Sequence, residues 1–384
     1  MSRSPLIRLI ALGGIVAAAS LTAGTKLNPH LDETMVRRGC PACHTGHGVS
    51  QSPMLSKAQK ETCLACHNDS FGVDQQVAAS ALAADARPPL LGSTLSKISV
   101  HPLSAEANSS DQNAVVCTSC HSPHRSMPAG RGVAGAKNRS PKDPASFEYQ
   151  LCEGCHGGVP GSPNRTDVAR LVDSTNRSYH PLEAPATERS PSVASSLSGR
   201  EINCVDCHGN DDAGGPRGPH GSNVAPLLRN NYRVTDGAAE SQSAFALCYK
   251  CHDRTTLLDK SAFPEHREHI VDEKTSCATC HDAHGSVNNR SLIGFGDPSR
   301  PSPVLPSSST GRLAFVSSGP GSGACYLNCH GVEHGPANYG AAKIQQTIRS
   351  AVPLAPADLL PPRGRPVHGP GPIDPRRPRQ IDFP

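Results

Sequence analysis

The chain has 384 residues, of which 36% are hydrophobic and 3% aromatic, and it contains no tryptophan. Leu, Ile, Val and Phe together make up less than a fifth of it, so it lacks the side chains for the large apolar cores that a chain of this length normally builds. The formal net charge of +4 is too small for self-repulsion to explain that composition, and it gives no argument for nucleic-acid binding.

Residues 1–24 are typical of a secretory signal peptide. Arg3 and Arg8 precede an apolar run from Leu9 to about Ala23 that ends in small residues. A retained membrane anchor is the alternative, although the run is short for a membrane span. We therefore expect an exported protein, located in the periplasm or associated with the outer membrane or the cell exterior.

Eight short cysteine motifs follow, and they account for every cysteine. Motifs 1 to 7 have the form CxxCH and occupy residues 40–44, 63–67, 117–121, 152–156, 204–208, 248–252 and 277–281. Motif 8, at 325–330, has three residues between its cysteines instead of two. The sixteen cysteines are Cys40, Cys43, Cys63, Cys66, Cys117, Cys120, Cys152, Cys155, Cys204, Cys207, Cys248, Cys251, Cys277, Cys280, Cys325 and Cys329.

CxxCH is the attachment site of a c-type haem. The two cysteines form thioethers to the vinyl groups of one haem, and the next histidine lies beneath the iron as its proximal ligand. The predicted proximal ligands are His44, His67, His121, His156, His208, His252, His281 and His330. Disulfides or zinc are the alternatives, but neither explains why a histidine follows the second cysteine in all eight motifs. We predict eight c-type haems, or seven if the Cys325/Cys329 site forms a disulfide and bears no haem.

The other histidines recur with the motifs and predict a second set of iron ligands. In each pair of motifs one histidine precedes the first motif and another follows it. The predicted distal ligands are His30, His47, His101, His124, His180, His220, His269 (or His266) and His284. His47, His124 and His284 lie three residues after a proximal histidine and cannot easily reach round their own porphyrin. Each is therefore expected to bind the next haem, which for His124 is the haem of motif 4.

This repeat predicts four two-haem units, at 25–90, 91–160, 161–260 and 261–340. The signal peptide precedes them, and a flexible tail rich in Pro and Arg follows at 341–384. Gly-, Pro- and Ser-rich loops separate the motifs, and short helices are expected near 75–86, 166–173, 243–252 and 340–350. The predicted fold is mostly irregular and loop-rich, with short α-helices and little or no β-sheet, wrapped around a chain of covalently bound haems.

The repeated motifs, with trailing His47, His124 and His284, resemble the doubled-CXXCH family of multihaem cytochromes c over roughly residues 30–334. The resemblance implies electron transfer in the cell envelope, in anaerobic or extracellular electron transport. It also implies redox partners, namely other cytochromes, a quinol-oxidising membrane complex or an outer-membrane porin. Some such cytochromes assemble into filaments in which a histidine of one subunit binds a haem of the next, a role open to His266, His334 and His368.

An iron with two histidine ligands has no vacant position, so it exchanges electrons and binds no substrate. We therefore predict an electron-transfer protein and not an enzyme. The alternative is an octahaem reductase or oxidase of a nitrogen or sulfur compound, with one substrate-accessible haem. Many such enzymes replace the proximal histidine by lysine, and no CxxCK occurs in this sequence. Motif 8, with His334 nearby, is the best candidate for an unusual haem.

Overall fold

A computed structural model of the protein describes residues 28–49, 52–104, 115–124, 148–158, 167–186, 190–259, 263–295, 304–341 and 343. The predicted signal peptide, the loop at 125–146 and nearly all of the C-terminal tail lie outside these residues. Among the described helices, none has the length and apolar character that crossing a bilayer requires.

The described helices are short, as the sequence predicts, and most of them carry a cysteine motif. The α-helices are α1 (Gln59–His67), α2 (Ser70–Ala78), α3 (Gly92–Leu95), α4 (Cys117–Cys120), α5 (Glu148–His156), α6 (Val168–Val172), α7 (Cys204–Cys207), α8 (Ala246–Tyr249), α9 (Arg254–Asp259) and α10 (Cys277–Cys280). Cys40–Ala42 and Ser195–Leu197 form 3-10 turns, and Glu268–Asp272 forms a π-helical turn. Helices α6 and α8 lie within the expected helices at 166–173 and 243–252, whereas α2 only overlaps the expected range 75–86.

Local hydrogen bonds explain why a motif forms one helical turn. In α7 the Asp206 carboxylate accepts a hydrogen bond from the Asn203 N–H at 2.9 Å, which satisfies a donor at the start of the turn. The turn ends because His208 is extended, and its N–H donates to the Cys204 carbonyl at 2.8 Å. Helices α4 and α10 end in the same way, at His121 and His281.

The described residues also contain nine strands in four small antiparallel sheets, so β-sheet is present, although little of it, beside the expected short helices and irregular structure. Strands β1 (His44–Val49) and β2 (Ser52–Leu55) form a hairpin; β3 (Ser99–Val100) pairs with β5 (Gly221–Ser222), and β4 (Ser178–Tyr179) with β6 (Gly285–Ser286). Strands β7 (Ala314–Gly319), β8 (Ser322–Cys329) and β9 (Val332–Tyr339) form a three-stranded sheet in sequence order. Two-residue strands are too short to produce the alternating pattern by which strands are recognised.

The apolar core is divided into small clusters rather than gathered in one place. One cluster contains Val73 and Leu82, a second contains Phe245 and Ile270, and a third contains Phe295, Val304 and Leu327. Partly buried cysteines of the motifs pack against each cluster. This arrangement fits a chain whose apolar content is too low for a single large core.

Candidate haem-binding sites

Sixteen of the described histidines lie in eight pairs whose rings are close together. The distances between ring centres are 5.9 Å for His30–His67, 5.9 Å for His44–His124, 6.5 Å for His101–His156, 5.7 Å for His121–His220, 6.5 Å for His180–His252, 6.3 Å for His208–His284, 6.2 Å for His266–His281 and 6.3 Å for His269–His334. Each of the seven regular motifs contributes its own histidine to one pair.

These distances fit a metal ion held between two imidazoles. An imidazole nitrogen binds a transition metal at about 2 Å, and the ring centre lies about 1 Å further out, so two rings on opposite sides of one ion have centres about 6 Å apart. Direct ring stacking would allow closer approach, down to about 4.5 Å between centres. The spacing of all eight pairs therefore suits one iron each.

Hydrogen bonds at the other ring nitrogen support this assignment. A metal-binding histidine usually anchors its second nitrogen to a carbonyl or carboxylate, which orients the ring. The Nδ1 atoms of His67, His101 and His281 lie 2.9 Å from the Pro89 carbonyl oxygen, 2.8 Å from that of Pro219 and 2.7 Å from that of Ser291, respectively. Those of His180, His208, His252, His269 and His284 contact the Ala283 carbonyl, the Pro226 carbonyl, the Ser192 hydroxyl, the Glu265 carbonyl and the Asp282 carboxylate. Anchoring at Nδ1 leaves Nε2 as the nitrogen available to iron.

Burial keeps several of these rings uncharged. Loss of contact with water lowers the pKa of His220, His252 and His266 to about 4 in each case, with nearby histidines adding to the effect. The neutral imidazole is the form that binds a metal. The rings are therefore already in the required protonation state near neutral pH.

The pairs connect different parts of the chain according to a simple rule. Motifs 2, 4 and 6 face the histidine that precedes the motif before them, namely His30, His101 and His180. Motifs 1, 3 and 5 instead face the histidine that follows the motif two places later, namely His124, His220 and His284. Motif 7 has no motif two places later, and it faces His266 from the segment just before it.

Two equivalent strand pairs position four of the histidines that face motifs 3 to 6, namely His101, His220, His180 and His284. Strand β3 ends just before His101 and pairs with β5, which begins just after His220. Strand β4 ends just before His180 and pairs in the same way with β6, which begins just after His284. The contact is tight, because a Cβ atom on Gly221 would lie 1.9 Å from the Thr94 carbonyl oxygen. The repeated sequence His-Gly-Ser at 220–222 and 284–286 is the signal that could have revealed these contacts.

Cysteines of successive motifs also touch. The thiols of Cys63 in motif 2 and Cys117 in motif 3 share a hydrogen bond, which raises the pKa of the Cys63 thiol and lowers that of Cys117 to about 7. The same contact joins Cys152 of motif 4 to Cys204 of motif 5, and Cys248 of motif 6 to Cys277 of motif 7. Each of the three contacts joins motifs that belong to two different predicted two-haem units.

Glu148 strengthens the junction between motifs 4 and 5. Its carboxylate accepts a hydrogen bond from the Val205 N–H at 2.9 Å, and burial raises its pKa. Its carboxylate lies close to the sulfurs of Cys152 and Cys204. Because both cysteines belong to CxxCH motifs, we interpret this group as part of the haem-binding arrangement and not as a separate metal site.

The structure differs from the sequence expectation at several histidines. His124 faces His44 of motif 1, whereas it was expected to serve motif 4. Both His266 and His269, between which the sequence did not choose, belong to pairs, and so does His334. Within the described residues, His47 and His330 are the histidines whose rings face no other histidine, and His368 lies outside those residues.

Two family models match the chain. The model described as doubled CXXCH motif matches residues 34–71, and the one described as cytochrome c-type protein NrfB-like matches residues 204–298. Neither a curated protein nor a solved structure matches the chain. The matched segments cover motifs 1 and 2 at one end and motifs 5 to 7 at the other.

Proposed function

We propose that this chain, which belongs to the multihaem c-type cytochromes, carries electrons along eight bis-histidine haems in the cell envelope. The bound haems would supply the redox-active irons, and the polypeptide would set their spacing, orientation and axial ligands. The observation that carries the proposal is the set of eight facing histidine pairs.

The residues of the seven regular motifs have defined roles in this proposal. Their cysteines hold the porphyrins, and His44, His67, His121, His156, His208, His252 and His281 are the proximal ligands. The corresponding distal ligands are His124, His30, His220, His101, His284, His180 and His266. With both axial positions filled, each iron would remain six-coordinate in both oxidation states.

The contacts between motifs support transfer from one haem to the next. Cys63 touches Cys117, Cys152 touches Cys204, and Cys248 touches Cys277, so the porphyrin edges carried by these cysteines would lie side by side. The histidines that face motifs 1, 3 and 5 follow motifs 3, 5 and 7 in the chain, so each of them links its motif to the one two places later. Electrons would therefore have a continuous route from motif 1 to the C-terminal motifs.

The environment of the carrier follows from its chemistry. We propose that the chain is exported, since c-type haem is attached outside the cytoplasm, and that it exchanges electrons with other redox proteins. Other cytochromes, a quinol-oxidising membrane complex and an outer-membrane porin are the partners that the family resemblance implies. Assembly into a filament remains a prediction, and ligation of all eight irons needs no histidine from a second copy.

The alternative, an octahaem reductase or oxidase, needs an iron with one exchangeable position. The facing pairs favour the carrier, because every regular motif already has a second histidine in place. Among the described motifs, motif 8 is the one whose own histidine, His330, faces no second histidine. Catalysis therefore remains the second candidate, with motif 8 as the place where it would occur.

The test uses the mature holoprotein. We expect a mass corresponding to eight covalent haems, a ferric EPR spectrum with low-spin signals only, and complete reduction by a low-potential donor. A substantial high-spin signal in the resting protein, together with turnover of nitrite, hydroxylamine or tetrathionate, would instead establish the enzyme.

A further inference from the structure

Motif 8 has a different backbone conformation from the seven regular motifs. Cys325 and Cys329 both lie in strand β8, whereas the cysteines of motifs 3, 5 and 7 bound a single helical turn. Motif 8 therefore lacks the helical turn that leads directly into the proximal histidine in motifs 3, 5 and 7.

His330, the histidine that the motif predicts as proximal ligand, is directed elsewhere. It occupies the two-residue turn between β8 and β9 with a positive φ of 48°, followed by Gly331 with φ of 83°. Its side chain is 72% exposed, and its Nε2 atom lies 2.9 Å from the Asp236 carboxylate. In eight of the paired histidines Nδ1 is the anchored nitrogen and Nε2 remains available, whereas in His330 it is Nε2 that is anchored.

Asp236 gives His330 a structural role. Its carboxylate also accepts hydrogen bonds from the Ser276 N–H at 2.7 Å and from the Thr279 hydroxyl at 2.6 Å, both at motif 7. Burial alone would raise the pKa of Asp236, but these hydrogen bonds and that from His330 hold it below its usual value. His330 thus attaches the β8–β9 hairpin to motif 7.

A second histidine of the same hairpin has the features of a ligand. His334 lies opposite Leu327 in the β8–β9 ladder, so it projects from the same face of the sheet as Cys325 and Cys329. Its ring centre is 6.3 Å from that of His269, within the range of the seven pairs that contain a regular motif. His269 anchors Nδ1 to the Glu265 carbonyl at 2.8 Å, as seven other paired histidines anchor theirs.

We infer that the haem of motif 8 is ligated by His269 and His334, and that His330 binds no iron. The inference rests on the proposed function, since it assumes a haem at motif 8. The expected proximal ligand, His330, directly follows the second cysteine, Cys329. The inferred ligand, His334, lies five residues after that cysteine, across the hairpin turn. The last iron would then be bis-histidine like the others, without an open position.

The experiment compares three variants of the full holoprotein, His334→Met, His269→Met and His330→Met. A methionine sulfur on ferric haem iron gives a red charge-transfer band and raises the reduction potential of that haem. We expect His334→Met and His269→Met each to convert one haem of eight to histidine–methionine ligation, or to lose one haem mass. His330→Met should retain eight haems and show no such band.

The inference is overturned if His330→Met gives the band or loses a haem, or if His334→Met leaves all eight irons bis-histidine. A wild-type protein with seven haems would also overturn it, yet would leave the electron-transfer proposal intact for motifs 1 to 7. A wild-type protein without covalent haem would overturn the proposed function itself.

Discussion

Replacement of Gly221 by alanine tests whether the short β3–β5 contact positions a distal ligand. Gly221 follows His220 directly, and a Cβ atom there would lie 1.9 Å from the Thr94 carbonyl oxygen and 3.1 Å from a methyl carbon of Val100. Ordinary contact begins at 3.4 Å, so the backbone must retreat by about 1.5 Å. The φ of Gly221 is not in the left-handed region, so the effect is steric and not conformational.

The expected cost can be estimated from two contributions. Overpacking against backbone typically costs about 1–3 kcal/mol, and each lost ladder hydrogen bond costs about 1 kcal/mol. We therefore expect Gly221→Ala to lower the free energy of unfolding by about 2–4 kcal/mol. The backbone displacement at Gly221 also far exceeds the tolerance of a metal–ligand distance, which is about 0.2 Å. Because His220 precedes Gly221 directly, it should no longer bind the haem of motif 3.

Two measurements check this result. The urea midpoint of the holoprotein reports the stability, and EPR of the ferric protein reports a high-spin signal from one haem in eight. Gly214→Ala is the matched control, because Gly214 lies outside the cysteine motifs in the segment before His220, and a Cβ atom there would meet only the Asp212 carboxylate at 3.5 Å, an ordinary contact. If Gly221→Ala matched the control in both measurements, the contact would not position His220 and the reasoning would fail.

Three further predictions concern other parts of the molecule. Gly285→Ala should release His284 and give a high-spin haem at motif 5, because its Cβ atom would meet a backbone carbonyl oxygen at 1.8 Å. His124→Met should give histidine–methionine ligation at motif 1 and not at motif 4, whereas His47→Met should leave the optical spectrum unchanged; a signal from motif 4 in site-resolved NMR would contradict the pairing rule. Hydrogen bonds from three serine hydroxyls hold the pKa of Glu333 well below its usual 4.5, so the stability it contributes is present above that value and is lost as the pH falls through the folded pKa. Glu333→Gln should therefore weaken the acid dependence of the urea midpoint, and an unchanged dependence would refute this role.

The haem motifs could be predicted from the sequence because they are local. Cys117, Cys120 and His121 belong to one turn, and their spacing alone determines the chemistry they can perform. The number of histidines available as second ligands was also evident from the repeat. Contact between His44 and His124, in contrast, depends on the path of all the chain between them, which no local pattern specifies.

Motif 8 shows a different limit of sequence reasoning. Its resemblance to CxxCH made His330 the expected ligand, but the preference of β8 for an extended conformation changes the direction of every side chain in it. The sheet itself was missed because Gly, Ser and Asn interrupt its apolar pattern. Among the described residues, the pairs of the regular motifs leave over His47, His269, His330 and His334, and only the structure shows that His269 and His334 face each other.

The pairing of motifs 1, 3 and 5 with later histidines would determine the order in which the protein can be assembled. Motifs 2, 4, 6 and 7 face histidines that precede them, and would need no later part of the chain for their second ligand. If His124 supplies the second ligand of motif 1, the haem of that motif would lack it until the segment after motif 3 has been made, and motifs 3 and 5 would wait in the same way for His220 and His284. Such long-range closure is slow compared with local folding. Maturation would therefore pass through partly ligated, reactive haems that a chaperone or attachment complex must shield until the last hairpin is in place.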